Sequence, residues 1–449
     1  MSQTPMRQHL NDTPVVIVHN YLESFSKFLS RSGDENTLLD RRFNGDQALF
    51  WLGDPKLVIS SVPIEQASLL SQRWGYNQTK TLSPNKMSSS LSEDIARESH
   101  LRQAVIDQAG KDKKVALVPY AATTEFLQLA ETLRLEDGLD VELPESTTSE
   151  NLWIKDYIDS KVGFRSVISQ ISSGNNPLLI PQGFTCVNLD QTISAAEWFR
   201  QQDKGCVVKA SIGGSGVGNL FLPLESIPDK QTITALVEQN NFLTEDTPIV
   251  EELIYSPEKT SPSVEFYLPP SGAGSPQFTY LCNQLFESSG RFAGVVISRE
   301  LEKASWWPDL AVHGQLIAQH LQDLGYVGYF DLDGIVDREG DCYLVEINSR
   351  RTGGTYAHEF MEFKFGLDYA ERFSVLSQNK APSGSLRSLS ALEDAIGDLL
   401  YPIAGEERGV IVMLASMLDQ GYFGYLIIGE SIEEVKHLRQ QMIAKVSRV

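Results

Sequence analysis

Residues 328–348 read GYFDLDGIVDREGDCYLVEIN. Two runs with the composition of β-strands flank Glu339-Gly340, where the glycine can supply the positive φ of a tight turn. The stretch therefore predicts a β-hairpin, and pairing its residues symmetrically about that turn gives the register. In this register Asp333 lies opposite Glu346.

Four polar side chains share one face of the predicted hairpin. Asp333 faces Glu346 and Asp331 faces Asn348, and side chains two residues apart lie on the same face of a strand. Like charges directly opposite each other are destabilising, so the pattern favours a hard divalent cation held between carboxylate and amide oxygens. A solvated polar surface is the alternative, although neighbours such as Ile347 are typical of buried strands.

The segment after the hairpin, SRRTGGT at 349–355, adds cationic side chains near the same site. Arg350 and Arg351 are suited to bidentate contact with a carboxylate or a phosphate. Together with Thr355 they suggest a site for an anionic substrate. A structural salt bridge is the alternative role for one of the two arginines.

A glycine-rich loop lies upstream between two strand-like runs, with Lys209 on the strand before it. Glycines allow backbone N–H groups to approach a polyphosphate closely, and a nearby ammonium group would suit the same ligand. The loop is neither a Walker loop nor a dinucleotide fingerprint, because no GK[ST] follows and the next run is a strand. A flexible hairpin tip is the alternative. The loop reads Gly213-Gly214-Ser215-Gly216-Val217-Gly218.

Together these segments and the strand IVEELI at 249–254 resemble the ATP-grasp superfamily, whose members activate a carboxylate by phosphorylation from ATP. The resemblance covers about residues 151–366, and its most specific part is the E-I-N-x-R ending at 346–350. The doublet RRTGG and the terminal segment at 409–429 are similar to the pheganomycin-type peptide ligases, a smaller group.

The resemblance implies an α/β (α+β) fold of the ATP-grasp type. The expected parts are an N-terminal α/β pre-ATP-grasp domain at 1–150, an ATP-grasp core at 151–366 and a small C-terminal α/β unit at 367–449. Within the core, the lid is expected at about 185–250 and the central domain at about 251–366. After Gly366 the sequence predicts a helix-rich segment and then two strands around a turn.

The resemblance also implies a role for each matching residue. Lys161 and Lys209 match the two lysines that contact the ATP phosphates, and Glu258 is similar to the acid that binds ribose, with an exposed loop carboxylate as an equal alternative. The lid loop over the phosphates comprises Gly213, Gly214, Ser215, Gly216 and Gly218. The linker that receives adenine comprises Glu251, Glu252, Leu253 and Ile254. The magnesium ligands are Asp333, Glu346 and Asn348, and the catalytic cations are Arg299, Arg350 and Arg351.

The implied activity is that of an ATP-dependent carboxylate–amine ligase. The substrate carboxylate would attack the γ-phosphate to form an acyl phosphate, and an amine would then displace phosphate to give an amide. ATP and Mg²⁺ are the expected cofactors, and amino acids or peptides are the expected small-molecule substrates. Two alternatives stay open: an ATP-grasp phosphotransferase or acyl-phosphate enzyme that makes no amide, and a catalytically silent nucleotide-binding protein.

The composition argues against several other functions. The 449 residues include 38 Lys or Arg and 59 Asp or Glu, a formal charge of −21, which disfavours nucleic acids and anionic membranes as partners. There is no GxSxG motif, and the cysteines and histidines are too dispersed for a zinc site. The N-terminus lacks the apolar core of a signal peptide, so a cytoplasmic location is expected. A homodimer is the default expectation for an enzyme of this size.

Overall fold

The residues that the structure describes form three β-sheets flanked by helices, which confirms the predicted mixture of α and β structure. The computed structural model describes residues 10, 12–26, 43–172, 177–213, 218–226, 228–244, 247–287 and 290–448. The strands are β1 Val15–His19, β2 Lys56–Ser60, β3 Thr79–Leu82, β4 Lys114–Pro119, β5 Asp140–Glu142, β6 Gly183–Thr185, β7 Cys206–Lys209, β8 Leu220–Leu222, β9 Ile249–Glu252, β10 Pro262–Leu268, β11 Gln277–Phe286, β12 Phe292–Ile297, β13 Gly328–Val336, β14 Cys342–Asn348, β15 Ser374–Pro382, β16 Gly409–Leu414 and β17 Tyr422–Gly429.

The helices alternate with the strands through most of the chain. They are α1 Tyr21–Ser24, α2 Ala67–Trp74, α3 Leu91–Arg97, α4 Ser99–Ala109, α5 Thr124–Leu135, α6 Leu152–Asp159, α7 Lys161–Ile171, α8 Leu189–Gln201, α9 Lys230–Glu238, α10 Asn241–Thr244, α11 Trp307–Leu324, α12 Thr355–Phe365, α13 Leu389–Ile396 and α14 Ile432–Val446. Short 3₁₀ segments lie at Phe43–Phe50, Ser149–Asn151, Leu224–Ser226, Arg299–Lys303, Tyr369–Glu371, Gly397–Leu399 and Leu418–Gln420. In the part of the chain that the structure describes, no helix combines the length and apolar character needed to span a membrane.

The first sheet is parallel, with the strand order β3-β2-β1-β4-β5. Its three central strands are short apolar runs buried along almost their whole length, as parallel strands covered on both faces require. The helices α3, α4 and α5 pack on one of these faces. Because β1 and β4 are neighbours, the loops that follow them lie side by side at the carboxyl edge of the sheet.

The second sheet has eight antiparallel strands in the order β14-β13-β10-β11-β12-β15-β17-β16. On one face of β10 and β13, apolar side chains such as Val264, Phe266 and Leu332 pack against α11. Side chains alternate between the two faces of a strand, so the residues next to these apolar ones in sequence, including Ser263 and Asp333, point to the opposite face. That opposite face forms the floor of the site.

The segment after Gly366 adds β15, β16 and β17 to this same sheet. The predicted helix-rich segment is therefore wrong in part, because Ser374–Pro382 is a nine-residue strand. Pairing with β12 on one side and β17 on the other outweighs the weak strand pattern of its sequence. The terminal pair of strands around Leu418–Gln420 agrees with the prediction.

The third sheet is small and antiparallel, with the order β6-β9-β7-β8. Apolar residues of α8 and α9, such as Phe199 and Ile233, form a separate core with Val208 and Val250. Its strands span 183–252, the region where the sequence predicts the lid. The domain boundaries near 150, 250 and 366 stay predictions.

Candidate active site

A cleft lined by residues of the second and third sheets and of the segments that follow β1 and β4 contains the hairpin of β13 and β14 in its floor. Asp331 pairs with Asn348 and Asp333 pairs with Glu346, as the sequence predicts. All four side chains line the cleft. Between Asp333 and Gly334 the register shifts by one residue, which is a β-bulge, so symmetric pairing fails beyond this point.

The turn of the hairpin is longer than the two residues predicted around Glu339-Gly340. The Asp337 N–H donates to the Asp341 carbonyl oxygen at 3.0 Å. The Asp337 carboxylate accepts hydrogen bonds from the backbone N–H groups of Glu339 and Asp341 at 3.0 and 2.9 Å. The wider turn shifts the register by one residue and the bulge shifts it back. The pairing of Asp331 with Asn348 and of Asp333 with Glu346 is therefore the same as predicted.

Asp333 and Glu346 are the two carboxylates that could hold a cation. Asp333 is buried; its Oδ2 accepts a hydrogen bond from Asn348 Nδ2 at 2.9 Å, and its Oδ1 has no donor among the described residues. Burial and the neighbouring Glu346 raise the pKa of Asp333 to about 7. Burial also disfavours charge on Glu346, but Lys161 and Lys209 outweigh it and lower the pKa of Glu346 to about 2.

These carboxylates fit a magnesium ion, because a cation between them would satisfy the unpartnered oxygen of Asp333 and reduce their repulsion. Over the described residues, no group of three Asp, Glu, His or Cys side chains could hold a metal ion. A bound cation would therefore need further oxygen ligands from another source, such as phosphate. The amide oxygen of Asn348 accepts a hydrogen bond from Arg350 at 2.8 Å, so the role of Asn348 as a ligand stays a prediction.

Lys161 and Lys209 reach the cleft from two different elements. Ser160 caps α7, so that Lys161 is its first residue, and the Lys161 ammonium lies 3.1 Å from Glu346 Oε2. Lys209 ends β7, and its ammonium lies 2.6 Å from Glu251 Oε2. The structure thus brings both predicted lysines to the acidic floor, where two ammonium groups could offset phosphate charge.

The expected adenine linker, Glu251 to Ile254, also lines the cleft. The Glu251 carboxylate is buried between Lys209 and Arg165, whose Nη1 is 2.7 Å from Oε1. Burial opposes its ionisation, but Lys209 and Arg165 keep the pKa of Glu251 below its usual range. The Leu253 N–H donates to the Gly205 carbonyl oxygen at 3.0 Å, so this amide is already used within the protein.

The remaining nucleotide-site predictions have mixed outcomes. Gly213 lines the cleft, whereas Gly218 does not and instead lies against Phe242. Gly214, Ser215 and Gly216 lie outside the described residues. Glu258 is exposed and does not line the cleft, which agrees with the alternative of a loop carboxylate.

Arg350 and Arg351 point to opposite sides of the chain. Arg350 lines the cleft, and its guanidinium lies 5.2 Å from the centre of the Phe25 ring. Arg351 is buried outside the cleft, where Nε and Nη2 donate to Glu145 at 2.7 Å and Nη1 and Nη2 donate to Glu359 at 2.9 and 3.0 Å. The expectation of a catalytic Arg351 is therefore corrected to the structural salt bridge that the sequence left as the alternative for one arginine.

Arg299 is also outside the cleft. It lies on an exposed 3₁₀ segment and forms ion pairs with Glu302, at 3.0 Å, and with Glu371. Its expected place near the γ-phosphate is not observed, because the segment that carries it follows β12 on the surface.

Sequence reasoning missed the wall of the cleft that the parallel sheet provides. Tyr21 follows β1, Tyr120 follows β4, and both line the cleft with Phe25. Asn20 fixes the two loops together, because its Oδ1 accepts from the Tyr120 N–H at 2.9 Å and its Nδ2 donates to the Ala121 carbonyl oxygen at 2.9 Å. A position just after a buried parallel strand is the signal that could have identified these residues. Arg291 and Lys380 also line the cleft and were not predicted.

Solved structures with a similar fold cover nearly the whole chain. N5-carboxyaminoimidazole synthase from Aspergillus clavatus has a TM-score of 0.55 at 12% identity, over 97% of this chain and 99% of that one. Biotin carboxylase from Campylobacter jejuni has a TM-score of 0.55 at 12% identity, over 94% of this chain and 88% of that one. The chain has the ATP-grasp fold.

A further ATP-grasp structure, N5-carboxyaminoimidazole synthetase from Staphylococcus aureus, has a TM-score of 0.55 at 10% identity over 97% of both chains. At such low identity the likeness concerns the fold alone. No protein-family model matches the chain, and no curated protein is significantly similar to it in sequence.

Proposed function

We propose that the protein is an ATP- and Mg²⁺-dependent ligase that joins a carboxylate to an amine through an acyl phosphate. The observation that carries the proposal is the pair Asp333 and Glu346, opposed on the cleft floor with Lys161, Lys209 and Arg350 lining the same cleft. The ATP-grasp fold supports it. Structures with this fold are described in complex with ATP, with ADP and with MgADP.

The residues of the cleft have distinct tasks in this proposal. Asp333 and Glu346 would hold the magnesium ion, which would offset the negative charge of the phosphate groups. Lys161 and Lys209 would bind the phosphates on the side of the linker Glu251–Ile254. Arg350, whose Nε has no acceptor among the described residues, would bind the substrate carboxylate or the acyl phosphate.

The reaction needs no side-chain nucleophile. An oxygen of the substrate carboxylate attacks the γ-phosphorus and ADP leaves, which gives the acyl phosphate. The neutral amine nitrogen then attacks the carbonyl carbon, the bond from that carbon to the phosphate oxygen breaks, and inorganic phosphate leaves while the nitrogen releases a proton and the amide forms. The chain supplies positioning and fixed positive charge, which are the main contributions to phosphoryl transfer.

We propose an amino acid or a small peptide-like acid as the carboxylate substrate and an amino acid or peptide as the amine. The support for this narrower class is the likeness of RRTGG and of the terminal segment at 409–429 to the pheganomycin-type peptide ligases. A homodimer stays a prediction.

The test is ADP release with ATP and Mg²⁺ across a panel of amino acids, supplied singly and in pairs, with mass spectrometry of the products. Release that needs two organic substrates and yields a condensed product supports the ligase. Release with one acid alone favours a phosphotransferase or hydrolytic reaction, and ATP binding without release favours a silent nucleotide-binding protein.

Variants of the acidic pair make the test specific. Asp333→Asn and Glu346→Gln should reduce ADP release at least 100-fold, because each removes a carboxylate from the proposed metal site. Asp341→Asn is the matched control, since it changes an exposed acid in the turn of the same hairpin. Near-normal rates in either cleft variant would contradict the metal assignment.

A further inference from the structure

Two rows of side chains cross four strands on the face of the second sheet that forms the cleft floor. The first row, which contains the proposed metal site, runs from β11 to β14 through Cys282, Ser263, Asp333 and Glu346. The second row lies two residues further along each strand and comprises Tyr280, Glu265, Asp331 and Asn348. The proposed function uses only the first row.

The second row lies beyond the metal site as seen from the adenine linker. Ser261 and Ile335 line the cleft on the other side of the first row, where the chain that follows Ile254 enters β10 at Pro262. At the other end of the second row, Asn348 accepts the hydrogen bond from Arg350. The second row therefore borders the place where an acyl phosphate would meet its amine.

Asp331 is the member of this row with an unpartnered carboxylate oxygen, although Thr352 and the Glu265 carboxyl group also lie beside its side chain. It lines the cleft and is only 5% exposed, and its Oδ1 has no donor among the described residues. Its cross-strand neighbour is a second acid, Glu265, so repulsion adds to the cost of burying the carboxylate. Burial and the neighbouring acids Glu265 and Asp333 hold the pKa of Asp331 well above its usual range, so the charged carboxylate would need a cationic or N–H donor from a ligand.

Glu265, by contrast, is satisfied within the protein. Thr279 Oγ1 donates to its Oε1 at 2.8 Å, and Thr355 Oγ1 donates to its Oε2. The sequence position of Thr355 suggested that it belongs to an anionic substrate site. Its hydroxyl group instead donates to Glu265, so Thr355 is not part of such a site. Because Glu265 has its donors and does not line the cleft, Asp331 alone presents an unpartnered carboxylate oxygen from this row to a ligand.

We propose that Asp331 binds the cationic nitrogen of the amine substrate, and that the substrate is therefore an amine that enters as an ammonium ion. This inference rests on the proposed ligase function and specifies its second substrate. An ammonium group supplies N–H donors to the unpartnered oxygen and offsets the charge shared with Glu265. Because an ammonium ion has no lone pair, the nitrogen releases one proton to solvent before it attacks. Arg350 and Asp331, on either side of Asn348, then separate the anionic and the cationic reactant.

A second metal ion is the competing occupant of this position. Glu265 has both carboxylate oxygens engaged by threonines, so Asp331 would be the main protein ligand, which is a poor site for a divalent cation. An ammonium ion needs only one carboxylate and a few hydrogen-bond acceptors.

The test compares free and blocked amines. The probes are the amides of the twenty standard amino acids and their N-acetylated counterparts, which lack the positive charge. Binding to the full chain is measured by ligand-observed NMR with Mg²⁺ and the non-hydrolysable analogue AMP-PNP present. The variants are Asp331→Asn and the control Asp341→Asn.

We expect at least one free amide to bind at least tenfold more tightly than its acetylated form, and Asp331→Asn to abolish that difference while AMP-PNP affinity changes less than twofold. Equal binding of both forms, absence of any amide binding, or an unchanged preference in Asp331→Asn would overturn the proposal. The proposal would also be overturned if the Asp331→Asn variant bound one Mn²⁺ ion fewer than the wild-type protein, as measured by electron paramagnetic resonance, and still bound the amide.

The wild-type comparison is informative even if Asp331→Asn does not fold. Failure of the proposed function is read separately, as the absence of amine-dependent ADP release or of AMP-PNP binding. Amide preference without ligase activity would therefore keep the cation site and reject the reaction, whereas ligase activity without the preference would reject only the cation site.

Discussion

Replacing Arg351 with methionine should destabilise the protein more than any other single ion-pair change described above. The guanidinium makes four hydrogen bonds to two buried carboxylates, Glu145 and Glu359. It is also held between two aromatic rings, with its central carbon 4.5 Å from the centre of the Trp51 ring and 4.7 Å from that of Tyr329. Arg351→Met leaves both carboxylates buried without their cation.

The expected magnitude follows from this environment. Breaking a buried ion pair by removing one partner costs about 3–5 kcal/mol, because the remaining charge has lost both its partner and its water. Four charge-assisted hydrogen bonds would give a larger sum if added, but the cost of desolvating the guanidinium offsets part of it. Arg351→Lys should recover only part of the loss, since an ammonium cannot reproduce the planar set of donors.

The assay is urea unfolding followed by tryptophan fluorescence, with Arg372→Met as the control. Arg372 forms an exposed ion pair with Glu407 at 3.3 Å, for which about 1 kcal/mol or less is expected. A loss of less than about 1 kcal/mol in Arg351→Met, or an equal loss in both variants, would refute the argument from buried charge.

Three further predictions concern pH, backbone packing and phosphate binding. Burial lowers the pKa of His19 from 6.5 to about 4, so as the pH falls through this window the unfolded chain binds a proton that the native protein does not. Native stability should therefore rise between pH 4 and 6.5, and His19→Phe should reduce the rise by about 3 kcal/mol in unfolding experiments at several pH values. Gly163→Ala should cost roughly 2 kcal/mol by thermal unfolding, because its Cβ would lie 1.8 Å from the Tyr157 carbonyl oxygen; a normal melting temperature would contradict this. Lys209→Met should weaken AMP-PNP binding at least tenfold, and unchanged affinity would argue against a phosphate role for this ammonium group.

The paired acids could be predicted because their positions depend on local rules. Alternation along a strand and pairing across a hairpin place Asp333 opposite Glu346 whatever the rest of the fold does. The same alternation continues through Asn348 to Arg350, and it could have shown that Arg351 faces away from the cleft. Both arginines were expected to be catalytic cations, with a salt bridge as the alternative for one of them, and alternation along the strand distinguishes the two.

Other parts of the site could not be predicted from local patterns. Tyr120 reaches the cleft only because β4 lies beside β1, which depends on the order of strands in the sheet. The strand Ser374–Pro382 has little strand character of its own and forms between two partners that are distant in sequence. Arg299 was assigned from the resemblance alone, and its surface position depends on the path of the chain after β12.

The bulge between Asp333 and Gly334 lies between the carboxylates of the hairpin and its turn at 337–341. Asp331 and Asp333 are held in register by β10 on their other side, so their positions do not depend on how the chain turns at 337–341. A change of length in that turn can be absorbed at the bulge before it reaches the cleft. The tip is thus a place where the sequence can vary, or accept an inserted peptide, without moving the carboxylates.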